Sequence, residues 1–156
     1  MSIDIVVSLL YNVCMRVYRY MREGELNSLL QGDMDSVGCL CQKPAFDELS
    51  NSHKYEDGVR YLHFFLKKND IEHAKTLYRN KEGNYYTCEF NIPITTLMKH
   101  VGVGWYSASG YDYDSVKAIE FAIPNNKISS EYLSGYIKDV SRHNQNKNYI
   151  ENEMAQ

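Results

Sequence analysis

The fold class follows from one stretch near the carboxyl end of the chain, Val116-Lys117-Ala118-Ile119-Glu120-Phe121-Ala122-Ile123-Pro124. Its large apolar residues alternate, which is the period of a β-strand with one buried face. Pro124 ends the strand, because proline cannot donate the next ladder hydrogen bond. The opposite face carries Glu120 between two alanines, whose short side chains leave space beside the carboxylate. This face is either the floor of a cleft or the solvent side of an edge strand.

The size and composition of the chain are those of a globular domain. Its 156 residues are enough for one domain with a substantial core. Hydrophobic residues make up 44% and charged residues 24%, which argues against a disordered chain. The formal net charge of -3 argues against a general nucleic-acid binder. No apolar run is long enough to span a bilayer, so we expect no membrane insertion.

The four cysteines predict no metal site. The Cys39-x-Cys41 spacing is shorter than that of a zinc knuckle, and no pair of histidines accompanies it. Reduced thiols in a protein of cytoplasmic type are the simpler interpretation.

Hydrophobic periodicity predicts an α+β chain with strands and short helices. Further strands are predicted at 16–21, 61–66 and 86–92. Helices are predicted at 3–14, 23–31, 69–80, 94–101 and 133–140. Loops are predicted at 33–58 and at the glycine- and aromatic-rich segment 102–115. We expect one domain over 1–140, followed by a polar tail at 141–156.

Polar residues interrupt three of the predicted strands: Arg19, His63 and Glu120. Arg19 lies between apolar neighbours and must be paired or face a cleft, because an unpaired buried charge is costly. Each residue also has a structural explanation, namely an internal ion pair, a core histidine and an exposed glutamate. The sequence around Glu120 has an echo, because Glu89-Phe90-x-Ile92-Pro93 repeats its pattern on a more polar strand.

The segments that carry these residues resemble bacterial ADP-ribosyltransferase-fold proteins of the toxin and effector type. Val17-Tyr18-Arg19-Tyr20-Met21 and the helix after it are similar to the first strand and helix of that family. The strand around His63 is similar to the second conserved element of the family. The family's late strand with the catalytic glutamate is similar to Ile119-Glu120-Phe121-Ala122-Ile123-Pro124. The resemblance covers roughly 16–137 and implies split antiparallel β-sheets flanked by short helices.

The resemblance also implies a mono-ADP-ribosyltransferase that uses NAD as its co-substrate, without a metal. Glu120 would be the catalytic carboxylate that stabilises the oxocarbenium-like transition state as nicotinamide leaves. Arg19 would hold the phosphates or ribose of NAD. The other residues that would line the cofactor pocket are Tyr61, His63, Phe65, Trp105 and Tyr106. The family's second strand carries Ser-Thr-Ser in one version, and in another version a histidine lies on the first strand, so the role of His63 stays open.

The acceptor of ADP-ribose stays open as well. Ala118 occupies the position at which arginine-modifying members carry a second glutamate, so that route to arginine is not predicted. We expect a macromolecular acceptor, with protein favoured over nucleic acid, and a location in the cytoplasm or in a target cell that receives an effector. The alternatives are a non-catalytic binding or immunity module and a nucleic-acid enzyme that uses His63 and Glu120 as acid and base.

Overall fold

The computed structural model describes residues 13–40, 55–75, 82–107 and 115–139, and these form an α+β fold as predicted. The strands are β1 (Cys14–Arg22), β2 (Tyr61–Phe65), β3 (Tyr85–Pro93), β4 (Val101–Ser107), β5 (Ser115–Pro124) and β6 (Leu133–Asp139). The α-helices are α1 (Glu23–Leu30), α2 (Lys68–Ala74) and α3 (Ile94–Met98). Short 3-10 helices span Met34–Ser36, Asn125–Lys127 and Ser130–Tyr132. None of the described helices has the length and hydrophobicity that a membrane crossing requires.

The six strands form an antiparallel sheet in the order β4-β5-β2-β1-β3-β6. β1 pairs with β3 along its whole length, from Cys14↔Pro93 to Arg22↔Tyr85. β1 and β2, in contrast, are joined at a single register position, Tyr18↔Phe65. The sheet is therefore divided between β1 and β2 into two halves, β4-β5-β2 and β1-β3-β6.

The core packs against one face of both halves of this sheet. Phe64 of β2 and Phe90 of β3 are fully buried and meet edge to face, with ring centroids 5.0 Å apart. α1 contributes Leu26 and Leu29 to the same core. Every residue of β2 is buried, so this strand is covered on both faces. A strand with two covered faces needs polar partners for any polar side chain that it carries.

The strands at 16–21, 61–66, 86–92 and 116–124 are confirmed, each to within two residues of its predicted bounds. The predicted end of α1 is confirmed by Gly32, whose φ of 78° is the left-handed conformation that glycine adopts readily. An inward position of Leu30 beside Leu29 would continue the apolar pattern of this helix, but Leu30 is 51% exposed. Consecutive helical residues lie about 100° apart around the axis, so Leu29 faces the sheet and Leu30 turns away.

Two predictions near the carboxyl end are wrong. The predicted loop at 102–115 contains most of β4, which pairs with β5 from Val101↔Phe121 to Ser107↔Ser115, while 108–114 lies outside the described residues. The predicted helix at 133–140 is instead β6, which pairs with β3. Both segments are edge strands, and pairing with a neighbour far away in sequence overrides their local preferences.

The remaining predicted segments are described only in part. Cys14, which was placed in a helix at 3–14, belongs to β1, and the rest of that segment lies outside the described residues. α2 begins at Lys68 and is described as far as Ala74, while 76–81 lies outside. Within the long predicted loop, Cys39 forms a bridge with Tyr61 of β2. The segments 41–54 and 141–156 lie outside the described residues.

The prediction of reduced thiols is wrong for Cys39, which is disulfide-bonded. Cys14 and Cys88 are free, the first exposed and the second buried. The alternation of the strands determines this difference, because Cys88 occupies a core-facing position of β3.

Iodoacetamide at about pH 8 is expected to alkylate Cys14 and to spare Cys88 in the folded protein. Burial, as the main cause, raises the pKa of Cys88 to about 12, so very little of its reactive thiolate exists at this pH. Mass spectrometry of the alkylated peptides gives the measurement, and unfolding in guanidinium is the control that should expose Cys88. Rapid labelling of Cys88 in the native protein would contradict its assignment to the core.

Candidate active site at the division of the sheet

The three polar residues singled out from the sequence lie on three adjacent strands. Glu120 belongs to β5, His63 to β2 and Arg19 to β1, and these strands are neighbours in the sheet. All three are buried, with 0% of Glu120 and 8% each of His63 and Arg19 exposed. The fold therefore brings together residues that are 44 or more positions apart in sequence.

His63 and Glu120 share one face of the β2-β5 pair. Phe65 is in register with Glu120, and His63 with Ala122. Since residues two apart on a strand point to the same face, His63 and Glu120 are diagonal neighbours. β5 lies inside the sheet between β4 and β2, and Glu120 is fully buried. The alternative of an exposed glutamate on an edge strand is therefore wrong.

The sheet around Glu120 carries very small residues. Gly102 of β4 is in register with Glu120, and Gly104 is in register with Ala118. Ala118 and Ala122 precede and follow Glu120 on its own face of β5. The buried Glu120 carboxylate is thus surrounded on β4 and β5 by four residues with little or no side chain. We call these four residues, Gly102, Gly104, Ala118 and Ala122, the bare strip. Close approach of another group to a sheet requires such residues.

Tyr55 covers this face, and the sequence did not single it out. Its hydroxyl lies 3.1 Å from Nε2 of His63. Its ring meets the Tyr61 ring edge to face, with centroids 5.0 Å apart. The Tyr61 hydroxyl in turn accepts the backbone N–H of Glu56 at 2.8 Å, which holds the segment against β2. Tyr55 lies in a loop, where no periodicity marks a functional position, and the only signal was its place shortly before the His63 strand.

The surroundings of Tyr55 determine the protonation state of the phenol that contacts His63. Burial first, and then the negative charge of Glu120, raise the pKa of Tyr55 far above its usual range, so the phenol keeps its proton. The Tyr55 hydroxyl and Nε2 of His63 share one hydrogen bond, whose direction depends on the tautomer of His63. Nδ1 lies 4.0 Å from Sγ of Cys39.

A close backbone approach places Cys39 at His63. Gly38, before it, has a φ of 92°, and a Cβ there would lie 3.0 Å from the Tyr61 carbonyl oxygen. Only glycine therefore lets the chain pass this near to β2. Cys39 then exchanges both of its backbone hydrogen bonds with Tyr61, at 3.0 and 2.9 Å. His63 is thus enclosed on this face by Tyr55 and Cys39.

Arg19 lies in the division between β1 and β2. Its Nε and Nη2 atoms donate to Oε1 of Glu25 at 2.8 and 2.7 Å. Its Nη1 donates to the carbonyl oxygen of His63 at 3.2 Å. The predicted alternative of an internal ion pair therefore describes its contacts. The guanidinium thus donates a hydrogen bond to the β2 backbone in the region where β1 and β2 are no longer paired.

Arg19 does not share the face of Glu120 by register. It alternates with Val17 and Met21, which belong to the core, whereas Tyr18 is in register with Phe65 and hence with Glu120. The structure thus brings His63 and Glu120 together on one face, whereas Arg19 lies on the opposite, core-facing side and contacts β2 through the His63 carbonyl oxygen. The assignment of Arg19 to NAD stays a prediction.

The aromatic residues predicted to line the cofactor pocket fall into two groups. Tyr61 and Phe65 are buried on β2, on the face that carries His63. Trp105 and Tyr106 belong to β4, where they are in register with Lys117 and Val116. Their predicted role beside the nicotinamide ring stays a prediction.

No group of three or more His, Cys, Asp or Glu side chains suited to a metal ion occurs among the described residues. Comparisons with protein-family models, curated proteins and solved structures found no match to this chain.

Proposed function

We propose that this chain is an NAD-dependent mono-ADP-ribosyltransferase in which Glu120 is the catalytic carboxylate. The observation that carries this proposal is the buried Glu120 on the bare strip, between β4 and β2. A ribose ring that approaches the sheet there would meet the carboxylate beside glycine and alanine positions of β4 and β5. The expected acceptor is a macromolecule, with protein favoured by the net charge of -3.

The chemistry suits a single carboxylate. When the bond between ribose and nicotinamide breaks, its electrons go to the ring nitrogen, and positive charge develops on the sugar. A carboxylate that is shielded from water stabilises this charge mainly in the transition state. The acceptor nucleophile then bonds to the anomeric carbon and loses its proton.

The state of His63 is compatible with this reaction. Nicotinamide leaves as a neutral molecule, so cleavage of its bond needs no general acid. Nε2 of His63 is engaged by the Tyr55 hydroxyl at 3.1 Å, so in this proposal His63 lines the site. This favours the transferase over an enzyme that uses His63 and Glu120 as an acid and base pair, which needs a free ring nitrogen at the substrate.

The arrangement of the strands supports the likeness to the ADP-ribosyltransferase fold. The resemblance implies split antiparallel sheets, and here the sheet is divided between β1 and β2. The strands β1, β2 and β5, which carry Arg19, His63 and Glu120, are adjacent, although Arg19 lies on the opposite face of the sheet from Glu120. For Arg19 to hold a diphosphate, the ligand would have to replace Glu25 as its partner.

The proposal is tested by incubating the purified protein with NAD and measuring free nicotinamide by chromatography. We expect slow release that saturates with NAD, and transfer of label from adenine-labelled NAD to the protein fraction of a lysate. Label in the nucleic-acid fraction would change the acceptor class and keep the enzyme class. No release, together with no binding of NAD in calorimetry, would favour the non-catalytic binding or immunity module.

Replacement of Tyr55 by phenylalanine is expected to slow nicotinamide release about fivefold, the equivalent of one lost neutral hydrogen bond. The ring and its contact with Tyr61 are kept, while Nε2 of His63 loses its hydroxyl partner. Initial rates over a range of NAD concentrations give the measurement. Tyr86→Phe is the matched control, since it removes a hydroxyl bonded to exposed Glu23 at 3.4 Å. Equal rates for both variants would reduce Tyr55 to a packing residue.

A further inference from the structure

A second site lies between α3 and the 3-10 helix Asn125–Lys127, with lining residues other than those of the Glu120 site. A cavity of about 300 Å³ opens there, and the residues that line it are Pro93, Thr95, Thr96, Lys99, His100 and Lys127. Two lysines, a histidine and two threonines thus surround one space, and no carboxylate is among the described residues that line it. We infer that this cavity binds a small phosphate-type anion, either inorganic phosphate or a phosphomonoester. This inference is independent of the proposed function.

The lysines of this cavity are not paired with any acidic side chain in the described part of the chain. Among the described residues, neither Lys99 nor Lys127 takes part in a salt bridge. The contrast is a smaller cavity of about 160 Å³ beside α2 and β6, where Lys75 contacts Glu72 at 2.9 Å and Asp139 at 3.1 Å. In a chain with a net charge of -3, uncompensated lysines around one cavity favour an anionic ligand.

The pKa of His100 is affected by the positive charges that line the cavity. Burial first, and then Lys99 and Lys127, lower the pKa of His100, so its imidazole is neutral at pH 7. Its backbone is anchored on both sides, since its N–H donates to the Leu97 carbonyl at 3.0 Å and its carbonyl accepts the Ala122 N–H at 3.1 Å. A neutral ring on a fixed backbone can donate one hydrogen bond to a ligand.

The donors match a phosphate group. Lysine ammonium groups act as compact point charges toward phosphate, and threonine hydroxyls and an imidazole N–H supply directional hydrogen bonds. The volume of about 300 Å³ is at the lower end for small-molecule sites. It suits a phosphate with a small attached group and not a whole dinucleotide, which separates this site from that of NAD.

The test is a titration of the full chain with sodium sulfate and with phosphate, followed by the NMR signals of the His100 imidazole. Sulfate keeps its charge near neutral pH, so it isolates the titration of the protein. We expect a saturable shift and a rise in the pKa of His100, because a bound anion opposes the effect of the lysines. Binding should therefore tighten as the pH falls through the pKa of His100.

Variants separate a specific site from general charge effects. Lys99→Gln and Lys127→Gln are each expected to weaken sulfate binding about fivefold. Lys138→Gln is the matched control, because Lys138 is also exposed but lines the smaller cavity together with Asp139. A shift that never saturates, or equal binding in all three variants, would overturn the inference. Tight, salt-sensitive binding of an oligonucleotide without sulfate binding would also overturn it, in favour of a nucleic-acid surface.

Discussion

Replacement of Glu120 by glutamine is expected to slow the release of nicotinamide from NAD about 10²-fold. Glutamine keeps the shape of the side chain and removes the negative charge that would stabilise the developing cation. The carboxylate stabilises a nearby positive charge more strongly here than at a surface, because Glu120 is fully buried and solvent screens its charge little. Since the loss falls on the transition state, the turnover number should decrease far more than the KM for NAD increases.

The chain contains its own control for this experiment. Glu89 lies in the sequence echo of Glu120, on β3, and is half-buried. It contacts Arg16 at 3.3 Å and accepts the Ser134 hydroxyl at 3.1 Å on the outer half of the sheet. Glu89→Gln is therefore expected to release nicotinamide at nearly the rate of the unmodified protein. Thermal unfolding of both variants guards against loss of the fold.

The outcomes of this pair separate the proposals. Slow nicotinamide release in Glu120→Gln, together with a nearly unchanged rate in Glu89→Gln, would support the proposal that the Glu120 carboxylate acts on NAD. If Glu120→Gln releases nicotinamide at the same rate as the unmodified protein, the transferase proposal is wrong, even if NAD binds. The anion site would be untouched by that result, because Glu120 is not among its lining residues.

Replacement of Arg19 by methionine is expected to lower the free energy of unfolding by about 3 kcal/mol. The variant leaves the Glu25 carboxylate and the His63 carbonyl without the donors that Arg19 supplies at 2.7 to 3.2 Å. Both side chains of the ion pair are largely buried, with 9% of Arg19 and 18% of Glu25 exposed, so water replaces the lost contacts poorly. Urea denaturation followed by circular dichroism gives the measurement.

A double-mutant cycle identifies the source of this loss. Arg19→Met combined with Glu25→Leu removes both charges, and we expect it to recover a large part of the stability, because no unpaired carboxylate remains. Arg16→Met is the matched control, since the Arg16–Glu89 pair has side-chain exposures of 62% and 33%. Arg16→Met should lower the free energy of unfolding by less than about 1 kcal/mol. Equal losses for Arg16→Met and Arg19→Met would contradict the view that Arg19 holds the division of the sheet.

The same variants test the assignment of Arg19 to NAD. If Arg19 is purely structural, the folded double variant should release nicotinamide with little change in KM. A large increase in KM at retained stability would instead mean that Arg19 exchanges Glu25 for the diphosphate of NAD. The two roles therefore differ in a measurable parameter.

The sequence by itself determined the strands with strong alternation. β1, β2, β3 and β5 were predicted because their apolar residues repeat with period two, and prolines marked the ends of β3 and β5. It also identified the three polar exceptions, since a charged or polar residue between apolar neighbours stands out without any structure. These features are local, and a local pattern is visible in the sequence of one segment.

Only the tertiary structure decided the edge strands and the partners of the site. β4 and β6 have weak patterns of their own, and hydrogen bonds to β5 and β3 make them strands. The burial of Glu120, the contact of Tyr55 with His63 and the choice of Glu25 as the partner of Arg19 also come from outside their own strands. The physical reason is that burial and hydrogen bonding are properties of what packs against a residue. The packing partners here lie on separate segments, and only the folded chain brings them into contact.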